Sequence, residues 1–228
     1  MAVGRTIQRP SRRARNAQHR EVPVWAAMAV TLGLVAVSAG GAIADRHVAA
    51  PPGPVLLVGD SLFFQSADEL TRALRGDGWD VDIVAYPGAG IAGGGYVSKF
   101  RWEPRLEREV ARVHPRVAVI ELGTNGCVYA CDSVSSAIDG IVDSLEGVDL
   151  ILWLTVRTGA PRPRSAADIN EALDDASDTI VQLELLPYDK WFVGRSEVMT
   201  PDGVHLSPLG QRALAHRVRA ALRDRAGI

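Results

Sequence analysis

Cysteine is almost missing from this sequence: 228 residues contain two, Cys127 and Cys131. With no histidine beside them they do not make a zinc site, whose ligands come as clustered Cys and His. Nucleotide-binding signals are missing too. The glycine-rich stretch Gly88–Gly95 lacks G-x-G-x-x-G spacing onto a helix, and no Lys-Ser/Thr pair completes a phosphate loop. Basic charge is scarce in the body of the chain. Residues 1–22 hold six arginines against the single acid Glu21, leaving 19 basic and 26 acidic side chains for the remainder. Nucleic-acid binding, which shows as a basic stripe on a folded domain, is therefore set aside. No internal repeat or low-complexity tract follows residue 53.

What is present is a globular composition, 47% apolar and 23% charged, enough for one sizeable domain with an appendage. Residues 1–22 read as a disordered basic tail. Residues 23–44 contain an uncharged run of membrane-spanning length, preceded by the arginines and followed by Asp45, which keeps the N-terminus cytoplasmic and sends the rest across. Two readings stay open: a retained transmembrane anchor, or a signal peptide cleaved near Ala44, since Ala42-Ile43-Ala44 has the small-x-small form. Both make the body extracytoplasmic. In that compartment Cys127 and Cys131 form a small-loop disulfide; inside the cell they are two buried thiols. Residues 45–53 form a linker ending in Pro-Pro-Gly.

From residue 54 onward, strand-like and helix-like stretches alternate. Strands are expected at Val55–Val58, Asp82–Ala85, Val117–Leu122, Leu150–Val156 and Ile180–Leu186, and helices at Ser66–Arg75, Trp102–Val113, Ser133–Leu145, Ala166–Ala176 and from Ser207-Pro208. This alternation implies a parallel sheet covered on both faces.

Ser61 stands two residues after the glycine that ends the first strand, at the carboxyl end where open α/β sheets bind ligands, and is the candidate nucleophile. A serine needs a base, a group to orient that base, and oxyanion donors. His205 supplies the base, Asp202 three residues earlier fixes its tautomer, and Asn125 after the third strand aims an amide into the same crevice. Asp189 and Trp191 could line the substrate crevice, but packing at the sheet edge is the favoured reading. Asp168, Glu171, Asp174, Asp175 and Asp178 read as a solvated helix face.

Taken in order, Gly59-Asp60-Ser61-Leu62, Gly88 or Gly90, Gly123-Thr124-Asn125 and Asp202-x-x-His205 resemble the four blocks of the SGNH (GDSL-type) hydrolase family. The resemblance implies a flavodoxin-like three-layer α/β/α domain over residues 54–228, with a central, mostly parallel sheet of about five strands. It implies ester hydrolysis through an acyl-enzyme, with Ser61, His205 and Asp202 as triad and no cofactor. The oxyanion hole would combine the Ser61 N–H, the Gly88 N–H (Gly90 as substitute) and the Asn125 side chain. The sequence departs from the family pattern at Gly126, where an aspartate is common, and in the second block, which lacks its usual asparagine. Compartment and resemblance together point to an acylated glycan or lipid substrate, short O-acetyl-type esters first. An acyltransferase on the same acyl-enzyme and a catalytically silent envelope-binding module are the alternatives.

Overall fold

A computed structural model describes residues 52–94, 99–127, 131–158 and 163–226. The tail, the apolar run at 23–44 and nearly all of the linker lie outside the described residues. Among the described residues no helix is long and apolar enough to cross a membrane.

The elements are β1 (Pro54–Gly59), α1 (Ser61–Gln65), α2 (Ala67–Arg75), β2 (Asp80–Ala85), α3 (Glu103–Val113), β3 (Val117–Glu121), α4 (Val134–Asp143), β4 (Leu150–Leu154), α5 (Pro163–Thr179), β5 (Leu183–Leu186), α6 (Tyr188–Trp191) and α7 (Pro208–Ala226). A 3₁₀ turn, Ser196–Val198, precedes α7. The strands form one sheet in the order β2-β1-β3-β4-β5, and every pairing is parallel rather than mostly so. Strands buried on both faces read as continuous apolar runs, which β1 and β4 are and β3 is up to its last residue, Glu121.

Alternation along β1 separates two cores. Val55 and Leu57 pack with Leu70, Leu74, Leu214 and Val218 beneath α2 and α7. Leu56 and Val58 pack with Leu106, Ile138, Ile141 and Ile169 beneath α3, α4 and α5. This is a three-layer α/β/α arrangement. After β1 the chain adds β2 on one side and then returns to add β3 on the other, so the crevice above β1 and β3 is the topological switch point where such sheets bind ligands.

Several expected boundaries shift, β2 starting at Asp80, β3 ending at Glu121 and α5 running from Pro163 to Thr179, and three of the shifts have identifiable reasons. The helix expected from Ser66 is preceded by the separate five-residue α1, and Ser66 is the junction between the two. Strand β4 stops at Leu154 rather than Val156 because Asn170 on α5 takes both backbone groups of Val156, its Oδ1 accepting at 2.7 Å and its Nδ2 donating at 2.8 Å. Strand β5 starts at Leu183 rather than Ile180 because residues 180–183 close the end of α5, Ile180 N–H donating to Ala176 O and Leu183 N–H to Ile180 O.

Candidate active site

Ser61 opens α1 directly after β1. The helix is started by Asp60, whose Oδ1 accepts from Leu62 N–H at 2.9 Å. The other oxygen, Oδ2, accepts from Asn125 Nδ2 at 2.9 Å, so one buried carboxylate joins the serine loop to the asparagine loop. Asn125 Nδ2 also donates to Ala89 O at 3.0 Å, which uses its second hydrogen.

In the Gly-rich loop, Ala89 N–H donates to Tyr86 O across a turn whose third residue, Gly88, has φ +77°, a conformation that favours glycine. Gly90 N–H donates to Gly93 O at 2.8 Å and Gly90 is buried. Its amide is thus engaged within the loop, whereas no backbone hydrogen bond from Gly88 N–H is formed among the described residues.

At the far end of the sequence, Asp202 and His205 meet. Asp202 Oδ2 lies 2.7 Å from His205 Nδ1, while Oδ1 accepts from Thr200 Oγ1 at 2.6 Å and from the Val204 and His205 N–H groups at 2.9 Å each. The hydrogen bonds from Thr200 and then His205 hold the Asp202 carboxyl well below the usual carboxylate range. Leu62 beside Ser61, Asn125, and Gly203-Val204 beside His205 line one cavity. His205 lies near enough to Asp60 to favour its charged form. Among the described residues the Ser61 hydroxyl makes no hydrogen bond, and none closes from it to His205. Contacts between a nucleophile and its base often tighten only when substrate is bound.

Asp189 is held at 2.6 Å by the Thr155 hydroxyl, and Trp191 packs edge-on against Tyr188. The α5 acids are exposed. Cys127 and Cys131 have their sulfurs bonded and their Cα atoms 5.6 Å apart. Among the described residues no cluster of His, Cys, Asp or Glu could hold a metal.

The sequence reading gave no role to Glu121. It ends β3 almost fully buried, its Oε2 accepting from Asp60 N–H at 3.3 Å and its Oε1 from Thr124 Oγ1 at 3.3 Å. A carboxylate inside an otherwise apolar strand was the available signal. Burial and the neighbouring Asp60 push Glu121 well above the ordinary value, and burial pushes Asp60 up to about 6. Burial and the adjacent Asp60 carboxyl therefore favour the neutral form of Glu121.

A raised acid makes the folded state bind more protons than the unfolded one. Its contribution to stability is therefore present at low pH and lost as pH rises through the raised value. Glu121→Gln, which keeps a donor and cannot ionise, is expected to lose less stability than wild type between pH 5 and pH 8. Denaturant titrations at both pH values check this; identical pH dependence would contradict a raised Glu121.

The family profile described as GDSL-like Lipase/Acylhydrolase matches residues 57–213. Over 107 residues the chain is 33% identical to "Putative O-acetyltransferase SAS0844" of Staphylococcus aureus (strain MSSA476), an alignment that spans 47% of this chain and only 16% of that protein. Among solved structures, the C-terminal catalytic domain of Streptococcus pneumoniae peptidoglycan O-acetyltransferase A, bearing a methylsulfonyl adduct, superposes with TM-score 0.57 at 17% identity, covering 78% of this chain and 96% of that one. A carbohydrate acetylesterase family member from Sinorhizobium meliloti gives TM-score 0.57 at 17% identity, covering 77% and 100%. These two likenesses concern the fold.

Proposed function

The chain belongs to the GDSL-like Lipase/Acylhydrolase family and acts on ester bonds, and from that premise we propose that it is an extracytoplasmic serine esterase removing a short, O-acetyl-type acyl group from an envelope carbohydrate or lipid. The observation that carries the triad reading is the 2.7 Å Asp202–His205 bond at the rim of the cavity that Leu62 and Asn125 also line.

In this reading His205 Nδ1–H donates to Asp202, which leaves Nε2 as the acceptor for the Ser61 proton. Ser61 Oγ attacks the acyl carbonyl, and the resulting oxyanion is met by the Ser61 and Gly88 N–H groups and Asn125 Nδ2. A charged oxygen is a stronger acceptor than the neutral Ala89 carbonyl and takes the amide hydrogen from it. The alcohol leaves with the proton from His205, and water then attacks the acyl-enzyme. Asn125→Ala is expected to slow the chemical step on the order of 10²-fold. Single-turnover kinetics read this directly, and an unchanged rate removes Asn125 from the oxyanion hole.

The extracytoplasmic placement is supported by the basic tail followed by an apolar run, and by a cysteine pair joined as oxidising compartments allow. Transfer to a sugar hydroxyl instead of water is the second reading, favoured by the O-acetyltransferase name carried by the Staphylococcus aureus relative. The test is turnover of acetyl, butyryl and octanoyl 4-methylumbelliferyl esters with and without a glycan acceptor. Short-chain preference supports the glycan-ester reading, and acylated acceptor supports transfer. Octanoyl preference, or no turnover of any ester, sinks the short-acyl reading.

A further inference from the structure

The cavity beside Ser61 has a volume of about 190 Å³. An engineered cavity of about 150 Å³ accommodates benzene. The space is therefore larger than an acetyl group fills.

Its walls are mostly apolar, with Leu62, Val156, Ala166 and Val204 among them, but two polar groups stand out. The Tyr188 side chain is 2% exposed and its hydroxyl has no hydrogen-bond partner, although buried phenols normally have one. Burial holds that phenol well above its ordinary range, so it remains a protonated donor. Arg157, half-buried just after β4, is permanently charged, yet among the described residues its guanidinium meets Met199 Sδ at 2.9 Å and Gly203 O at 3.4 Å and no carboxylate.

The nearby acids are engaged elsewhere. Asp60 is held by Leu62 N–H and Asn125, Glu121 accepts from Asp60 N–H and Thr124 Oγ1, and Asp202 serves Thr200 and His205. A guanidinium without an anionic partner, set in apolar walls beside an unpartnered hydroxyl, is suited to a planar anion.

We infer that this cavity is a subsite for a carboxylate carried by the ester substrate, paired with the Arg157 guanidinium and hydrogen-bonded by the Tyr188 hydroxyl. The inference rests on the esterase reading for its position beside the nucleophile. The carboxylate has two sources: the far end of a dicarboxylic acyl group, or an acidic sugar on the alcohol side.

Two measurements on the full chain test it. In the first, kcat/KM is compared for 4-methylumbelliferyl hemiglutarate against the butyrate, and for O-acetylated glucuronic acid against O-acetylated glucose. Wild type is expected to prefer the carboxylated member of one pair at least tenfold, and the pair identifies the source. Arg157→Gln should lower that ratio about tenfold, and Tyr188→Phe about threefold. A ratio near one in both pairs, or a ratio that Arg157→Gln leaves unmoved because both esters suffer equally, overturns the subsite.

The second measurement is equilibrium binding of glutarate and glucuronate by calorimetry, which does not need turnover. Binding of either anion, weakened at least tenfold in Arg157→Gln, supports the subsite even if every ester is inert and the esterase reading fails. No binding of either anion to wild type, or equal binding to the variant, overturns it.

Discussion

Ser61→Ala is expected to lower turnover of a short acyl ester on the order of 10⁴-fold or more while leaving the fold intact. The size follows from the role assigned to Ser61: without the hydroxyl there is no acyl-enzyme, and what remains is the background catalysis of a binding site. The intact fold follows from the structure. Helix α1 is started by Asp60, the Ser61 hydroxyl makes no hydrogen bond among the described residues, and alanine is the better helix former. Circular dichroism and a thermal melt should therefore match wild type. A loss of less than tenfold would mean that another group attacks the ester.

Asp202→Asn has the second-largest expected effect, a fall in kcat on the order of 10³- to 10⁴-fold. Oδ1 is fixed as an acceptor by the Thr200 hydroxyl and the Val204 and His205 N–H groups, so an asparagine keeps its oxygen there. Its NH₂ then faces His205 Nδ1 as a donor. The imidazole must answer with a bare Nδ1, which puts the ring proton on Nε2 and leaves nothing to accept from Ser61. Because Thr200 and His205 hold the Asp202 carboxyl far below the usual range, Asp202 stays ionised in wild type through ordinary acidic pH. An acid limb in the activity profile then belongs to another group. If Asp202→Asn loses less than tenfold in kcat, Asp202 only shapes the turn.

Much of this was readable from the residues because the determinants are local. Four apolar runs fixed where β1, β2, β3 and β4 lie, and the serine, asparagine and Asp-x-x-His words stand at the loops where the sheet presents them. Features made by distant partners were not readable. Nothing near Val156 announces that Asn170 will end β4, since the amide comes from the next helix. The Asp60–Glu121 contact joins residues 61 apart, and Glu121 stood out only as an acid in an apolar strand. Tyr188 sits in the four-residue α6, too short to show periodicity, and its unpartnered hydroxyl is a property of the packed site. That Gly90 N–H is taken up by Gly93 O likewise showed only in the folded loop.

Esterase activity depends on convergence of Ser61 with His205, from opposite ends of the domain. The most direct measurement is intact-mass and peptide mass spectrometry after reaction with a fluorophosphonate. One adduct on the peptide carrying Ser61 in wild type, formed at least 100-fold more slowly in His205→Ala, is the predicted result. Labelling at another residue, or at Ser61 with the same rate in both proteins, would contradict it.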